Sequence, residues 1–82
     1  MTINENWAVS YARAKNFFSS QEDVTITEEG FAFEDCQIKL TPSKGEAGPF
    51  FVERTILSIE GPEEQASVIY KRFFLNFLSA GG

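Results

Sequence analysis

Two stretches of this chain carry apolar residues at helical spacing, and the stretch between them alternates as strands do. The later stretch, from Gly61-Pro62-Glu63-Glu64 to Ala80, is the more apolar. Along it Ala66, Ile69, Tyr70, Phe73, Phe74 and Phe77 form one stripe of the kind that faces a core. Gly61 reads as the N-cap and Pro62 as the first helical residue, where a missing N–H costs nothing. Glu63 and Glu64 then set negative charge against the positive end of the helix dipole. Val68, Leu75 and Leu78 fall outside the stripe, on a flank shared with Lys71. A helix apolar on two sides is expected to be buried on two sides, once by its own domain and once by a partner. Ser79-Ala80-Gly81-Gly82 reads as a frayed end.

In the earlier stretch Trp7, Tyr11, Ala14 and Phe18 recur at spacings of four, three and four. This predicts a helix from about Asn4 to Ser20, capped by the side chain of Asn4 or Asn6. Val24 to Thr27 alternates and is β-branched, so it reads as a short strand. Thr27-Glu28-Glu29-Gly30 suits a type I hairpin turn with glycine in the left-handed position. The return strand, Phe31 to Thr41, changes phase: Phe31 and Phe33 alternate one way, Cys36, Ile38 and Leu40 the other. A bulge at Glu34-Asp35 is the favoured explanation; a two-faced sheet and a tight turn are the alternatives. Thr41 to Pro49 is a loop by composition. Phe50 to Glu60 is a long strand with Phe51, Thr55, Leu57 and Ile59 on one face and Phe50, Val52 and Ile56 on the other.

The expected fold is therefore α+β, a two-layer α-β-β-β-α domain spanning residues 1–82. It has a three-stranded antiparallel meander with two helices packed on one face. Eighty-two residues allow one domain with a modest core, and nine Phe, two Tyr and one Trp enlarge what that core buries.

Charge and composition narrow the function. A net charge of −5 disfavours nucleic acid and anionic membrane surfaces as partners. The order α-β-β-β-α resembles that of double-stranded RNA-binding domains. That resemblance implies phosphate contacts from the start of the last helix and from the first hairpin loop. Here those places hold Glu63, Glu64, Glu28 and Glu29, so no nucleic-acid binding is expected. One cysteine cannot form an internal disulfide. No secretory leader or apolar run of membrane-spanning length is evident, so a cytoplasmic location is expected.

Candidate chemistry is sparse. The chain has no His, the commonest general base and metal ligand. Cys36 shares its phase with Ile38 and Leu40 and has no cationic neighbour in sequence to activate it, so it reads as core. Glu28-Glu29 and Glu34-Asp35 read as solubilising turn residues, and no calcium loop or phosphate-binding glycine motif is present. The expectation is a non-enzymatic protein with neither metal nor cofactor. Its interface would be formed by Val68, Leu75 and Leu78 together with Phe50, Val52 and Ile56 on the second face of the last strand. The partner is either a second copy or another protein, in an adaptor, a chaperone-like protein or a phage-type inhibitor. The alternative is a small module binding an apolar ligand in an aromatic-lined pocket between helices and sheet.

Overall fold

The chain opens with a strand, not a helix. The computed structural model describes the backbone of residues 1–47 and 50–81 and the side chains of residues 1–45 and 52–78. The elements are β1 (Thr2–Trp7), α1 (Tyr11–Ser19), β2 (Thr25–Ile26), β3 (Phe31–Phe33), β4 (Cys36–Ala47), β5 (Phe50–Glu60) and α2 (Glu63–Gly81). The expected α+β class holds. The sheet, however, has five strands, ordered β1-β5-β4-β3-β2 with every neighbouring pair antiparallel, in place of the expected three. The likeness to the α-β-β-β-α order goes with it.

The fourth and fifth strands of that count come from two corrections. The segment expected to begin the first helix is β1, which runs Thr2 against Glu60 to Trp7 against Thr55 along the free side of β5. Asn and Glu are weak strand formers, and here a long-range pairing overrides local preference. The helix begins only after Ser10, whose Oγ accepts from the Arg13 N–H at 3.3 Å as its N-cap. The second correction concerns Glu34-Asp35. It is a two-residue turn joining β3 to β4, with Phe33 opposite Cys36, and not a bulge. Glu34 takes φ 53°, a left-handed conformation that reverses the chain in the shortest hairpin. The turn reconciles the two phases: Phe31, Phe33, Cys36 and Ile38 are all buried on one face.

The stretch from Thr41, expected to be a loop, continues β4 as far as Ala47, opposite Phe50. Gly48 and Pro49 lie outside the described residues. Pro42 is tolerated in this strand because of where its nitrogen points. Met1 and Gly61 exchange both backbone hydrogen bonds, at 2.9 and 3.1 Å. From that pair the ladder alternates, so odd residues of β5 bond to β1 and even ones to β4. Pro42 lies opposite Thr55 and so faces away from β5, where no donor is required. The first hairpin is present, closed by Thr27 and Gly30 exchanging backbone bonds at 2.8 and 3.3 Å, but its turn is not the expected one: Gly30 takes φ 154° and not the left-handed helical conformation. α2 also extends further than expected, to Gly81, through residues expected to fray.

Both helices pack on the same face of the sheet. One core joins Ala14 and Phe18 of α1, Ala66, Ile69, Phe73 and Phe77 of α2, and Phe31, Phe33, Cys36, Ile38, Leu57 and Ile59 of the strands. Phe73 is its hub. Its ring stacks on Phe18 at 5.5 Å and 9°, meets Trp7 edge-on at 5.0 Å, and lies 4.7 Å from Phe77. Gly61 lets α2 leave β5 at once. A Cβ there would sit 2.8 Å from Cys36 Cα, and its φ of 156° suits glycine.

Candidate interaction surface

The contacts of α2 define its sides. Toward β1, Tyr70 donates to Glu5 Oε1 at 2.7 Å, and Phe74 meets Trp7 edge-on at 5.7 Å. Toward β3, Gln65 accepts from the Asp35 N–H at 2.9 Å, and Arg72 pairs with Asp23 at 2.8 Å while lying over the Phe33 ring. At about 100° per residue, Val68 and Leu75 then fall opposite the buried stripe, and Leu78 falls on the shoulder above β1. The three are 47%, 50% and 56% exposed. With Glu64 and Lys71 they follow a four-three-four-three spacing, the seam spacing of paired helices.

The other half of the expected surface lies elsewhere. Val52 is exposed and Ile56 half-buried, and both alternate onto the face of the sheet opposite the helices. The Phe50 side chain lies outside the described residues. The expectation that the strand and helix residues coincide in one patch is therefore corrected. α2 covers the face that carries Leu57 and Ile59, so the even residues of β5 point away from it. Ile56 lies among polar neighbours, opposite Thr41 on one side and Asn6 on the other. Beside it Arg54 reaches across to Asn6, donating to Oδ1 at 2.7 Å and to the backbone oxygen at 3.2 Å.

Glu5 is the residue that sequence reasoning missed. Its carboxylate accepts from Tyr70 and, at 3.1 Å, from Trp7 Nε1, and so ties β1 to α2. Burial first, and then the bond to Glu5 and its charge, push the Tyr70 phenol up to about 12. The alternation Ile3-Glu5-Trp7 was the available signal, but the longer helical spacing of Trp7, Tyr11, Ala14 and Phe18 masked it.

Cys36 is buried, as expected, with its Sγ 3.9 Å from the Pro62 carbonyl oxygen. Burial, with help from the charges of Asp35 and Glu34, pushes the thiol up and so disfavours the thiolate, the nucleophilic form. The Asp35–Gln65 bond brings the β3–β4 turn to the start of α2, gathering Glu34, Asp35, Glu63 and Glu64 at one end of the molecule. Among the described residues no group of three or more His, Cys, Asp or Glu is placed to hold a metal ion. No helix among them is long and apolar enough to cross a membrane.

The space between helices and sheet, where an aromatic-lined pocket was the alternative expectation, is occupied by the rings themselves. Phe18 and Phe73 are fully buried, with centroids 5.5 Å apart. The clefts found among the described residues open at the surface. One of about 200 Å³ lies between Tyr11, Lys15 and the β2–β3 turn, and one of about 440 Å³ runs across the two helices at Arg13, Phe17 and Phe77. Comparison with protein-family models, with curated proteins and with solved structures finds no match to this chain.

Proposed function

We propose that this chain is a small, acidic, non-enzymatic interaction domain that associates with a second copy of itself through the exposed side of α2, or docks by the same side on another protein. The observation that carries this reading is the exposed apolar set Val68, Leu75 and Leu78, recurring along one helix at seam spacing. A second copy is preferred because two-fold homodimers are the commonest oligomers. Nucleic acid is disfavoured by the net charge of −5 and by Glu63 and Glu64 at the start of α2. A reducing compartment such as the cytoplasm suits the single buried thiol. The apolar-ligand reading finds no enclosed cavity to support it among the described residues.

The test is light scattering on wild type and on Leu78→Glu, with circular dichroism as the folding control. Leu78→Glu is expected to keep its fold and lose its assembly, because an unpaired charge in an apolar contact is strongly unfavourable. A wild type that is monomeric at every concentration removes self-association and leaves docking on another protein.

A further inference from the structure

Among the described residues the sheet has two long unpaired edges, and they are built differently. Beyond Ile38, which pairs with Phe31, the outer edge of β4 has no strand partner among the described residues. That edge is blunted by Pro42, which offers no N–H, and by the charged Lys44, which also points its backbone outward. At the far end of the sheet β2 has only two residues. The edge of β1 is six residues long, regular throughout, and free of proline, lysine and bulges. Because Met1 bonds to Gly61, the odd residues of β1 bond inward and Thr2, Asn4 and Asn6 turn their N–H and C=O groups outward. Above this edge stand half-buried Tyr70 and Phe74 of α2, against Glu5 and Trp7, with exposed Met1 at its start; exposed Leu78 follows Phe74 one helical turn further along the same flank.

We propose that a second copy of this chain pairs its β1 edge antiparallel with this one about a two-fold axis at Asn4, giving a continuous ten-stranded sheet with the two α2 helices side by side above the seam. The proposal rests on the self-association reading but moves the contact to the β1 edge: of the exposed α2 set only Leu78 lies on the β1 flank, while Val68 and Leu75, opposite the buried stripe, stay outside the seam. Charge selects the register. Only even residues face outward, so Asn4 must oppose Thr2, Asn4 or Asn6 of the other copy. Asn4 opposite Asn6 would set Glu5 against Glu5, a like-charge pair. Asn4 opposite Thr2 shortens the overlap. Asn4 opposite Asn4 keeps all six residues paired, with Thr2 facing Asn6 and Ile3 facing Glu5, and moves the two Glu5 side chains from directly opposed to diagonal, about 7–8 Å apart. The Asn6 carbonyl already accepts from Arg54, but it keeps a second lone pair for the new strand. A strand of this length spans roughly 20 Å, and one sheet plus one helix layer is roughly 20 Å deep. The contact then covers on the order of 800 Å² for the two partners together, below the roughly 1,200 Å² of standard interfaces, so with about six backbone hydrogen bonds it corresponds to a weak, reversible dimer.

The decisive variant is Asn4→Pro. It removes an N–H that points away from β5, so the β1–β5 ladder keeps its bonds while the edge can no longer template a strand. Sedimentation of wild type and variant is expected to show a concentration-dependent dimer whose association weakens at least tenfold in Asn4→Pro, with circular dichroism unchanged. A folded Asn4→Pro that dimerises like wild type overturns the β1 seam while leaving self-association standing. A wild type that stays monomeric up to roughly 1 mM overturns both. Should proline unfold the chain, Asn4→Cys in a Cys36→Ala background decides the matter. Opposed Cα atoms of a hydrogen-bonded pair at the axis lie about 5.5 Å apart, so a short bifunctional maleimide is expected to link the two copies. A dimer that does not cross-link there overturns the seam.

Discussion

The two faces of the sheet share the same strands and the same backbone ladder, yet they do different work. The covered face carries Phe31, Phe33, Cys36, Ile38, Leu57 and Ile59, all buried under two helices. The open face carries Asn4, Asn6, Lys39, Thr41 and Ser58, with Ile56 half-buried among them. On the covered face an apolar side chain is held by rings from several elements. On the open face it is sheltered by the stems and amides of its strand neighbours. Alternating apolar residues on both sides of β5 therefore do not imply two buried layers. One side of this sheet meets helices and the other meets a polar lattice.

Substitutions can break or sharpen that contrast. The largest effect is expected at Phe73, the hub of the covered face. Phe73→Ala should cost about 3–5 kcal/mol, close to the whole stability of a domain holding about 5–10 kcal/mol, and chemical denaturation will show it. Cys36→Ser, on the same face, should cost about 1–3 kcal/mol by burying a hydroxyl in place of a thiol. An alkylating reagent should label Cys36 slowly in the native protein and rapidly after denaturation; fast native labelling would remove it from the core.

A smaller effect is expected where the covered face meets β1. The Tyr70 phenol is held up to about 12, above its ordinary value near 10. The folded state keeps a proton that the unfolded state releases. This contribution to stability is therefore complete below about pH 10 and is lost as pH rises toward 12. Glu5→Gln should bring the Tyr70 titration down, read by phenolate absorbance in a Tyr11→Phe background. The smallest effect belongs to the open face: Ile56→Thr should change stability by no more than about 0.5 kcal/mol. A loss as large as that at Phe73 would mean the open face is covered after all.

What could be read from the chain in advance follows the range of the interactions responsible. α2 was legible because its stripe, its opening proline and its acidic first turn are all local. Its unburied set Val68, Leu75 and Leu78 was legible for the same reason. β5 was legible from alternation. β1 was not, because what makes Thr2–Trp7 a strand is a neighbour in space that is remote in sequence. Trp7 falls by coincidence at helical spacing from Tyr11, while the cap that marks the true helix start is Ser10. Thr41–Ala47 was hidden by Pro42 and Gly45, which look like loop residues until the edge-facing side of Pro42 is known. A Cβ on Gly45 would sit 2.7 Å from Arg54 Cδ, so that glycine makes room for a side chain. The Glu34-Asp35 turn was one of three readings of a phase change, and alternation alone does not rank them. The split of the candidate surface between two faces required knowing which side of β5 receives α2.

The pairing of β1 with β5 also shapes how this chain folds. Every β1 contact in the sheet closes a span of roughly fifty residues, whereas β2 to β5 fold back on immediate neighbours. The local hairpins can therefore form first, and the seating of β1 is the slow, entropically costly closure. The chain's single tryptophan sits on that strand, edge-on to Phe73 and Phe74. Tryptophan fluorescence during refolding thus reports the last topological step, and far-ultraviolet dichroism reports the helices that precede it. A lag of the first signal behind the second would time the closure of the fold.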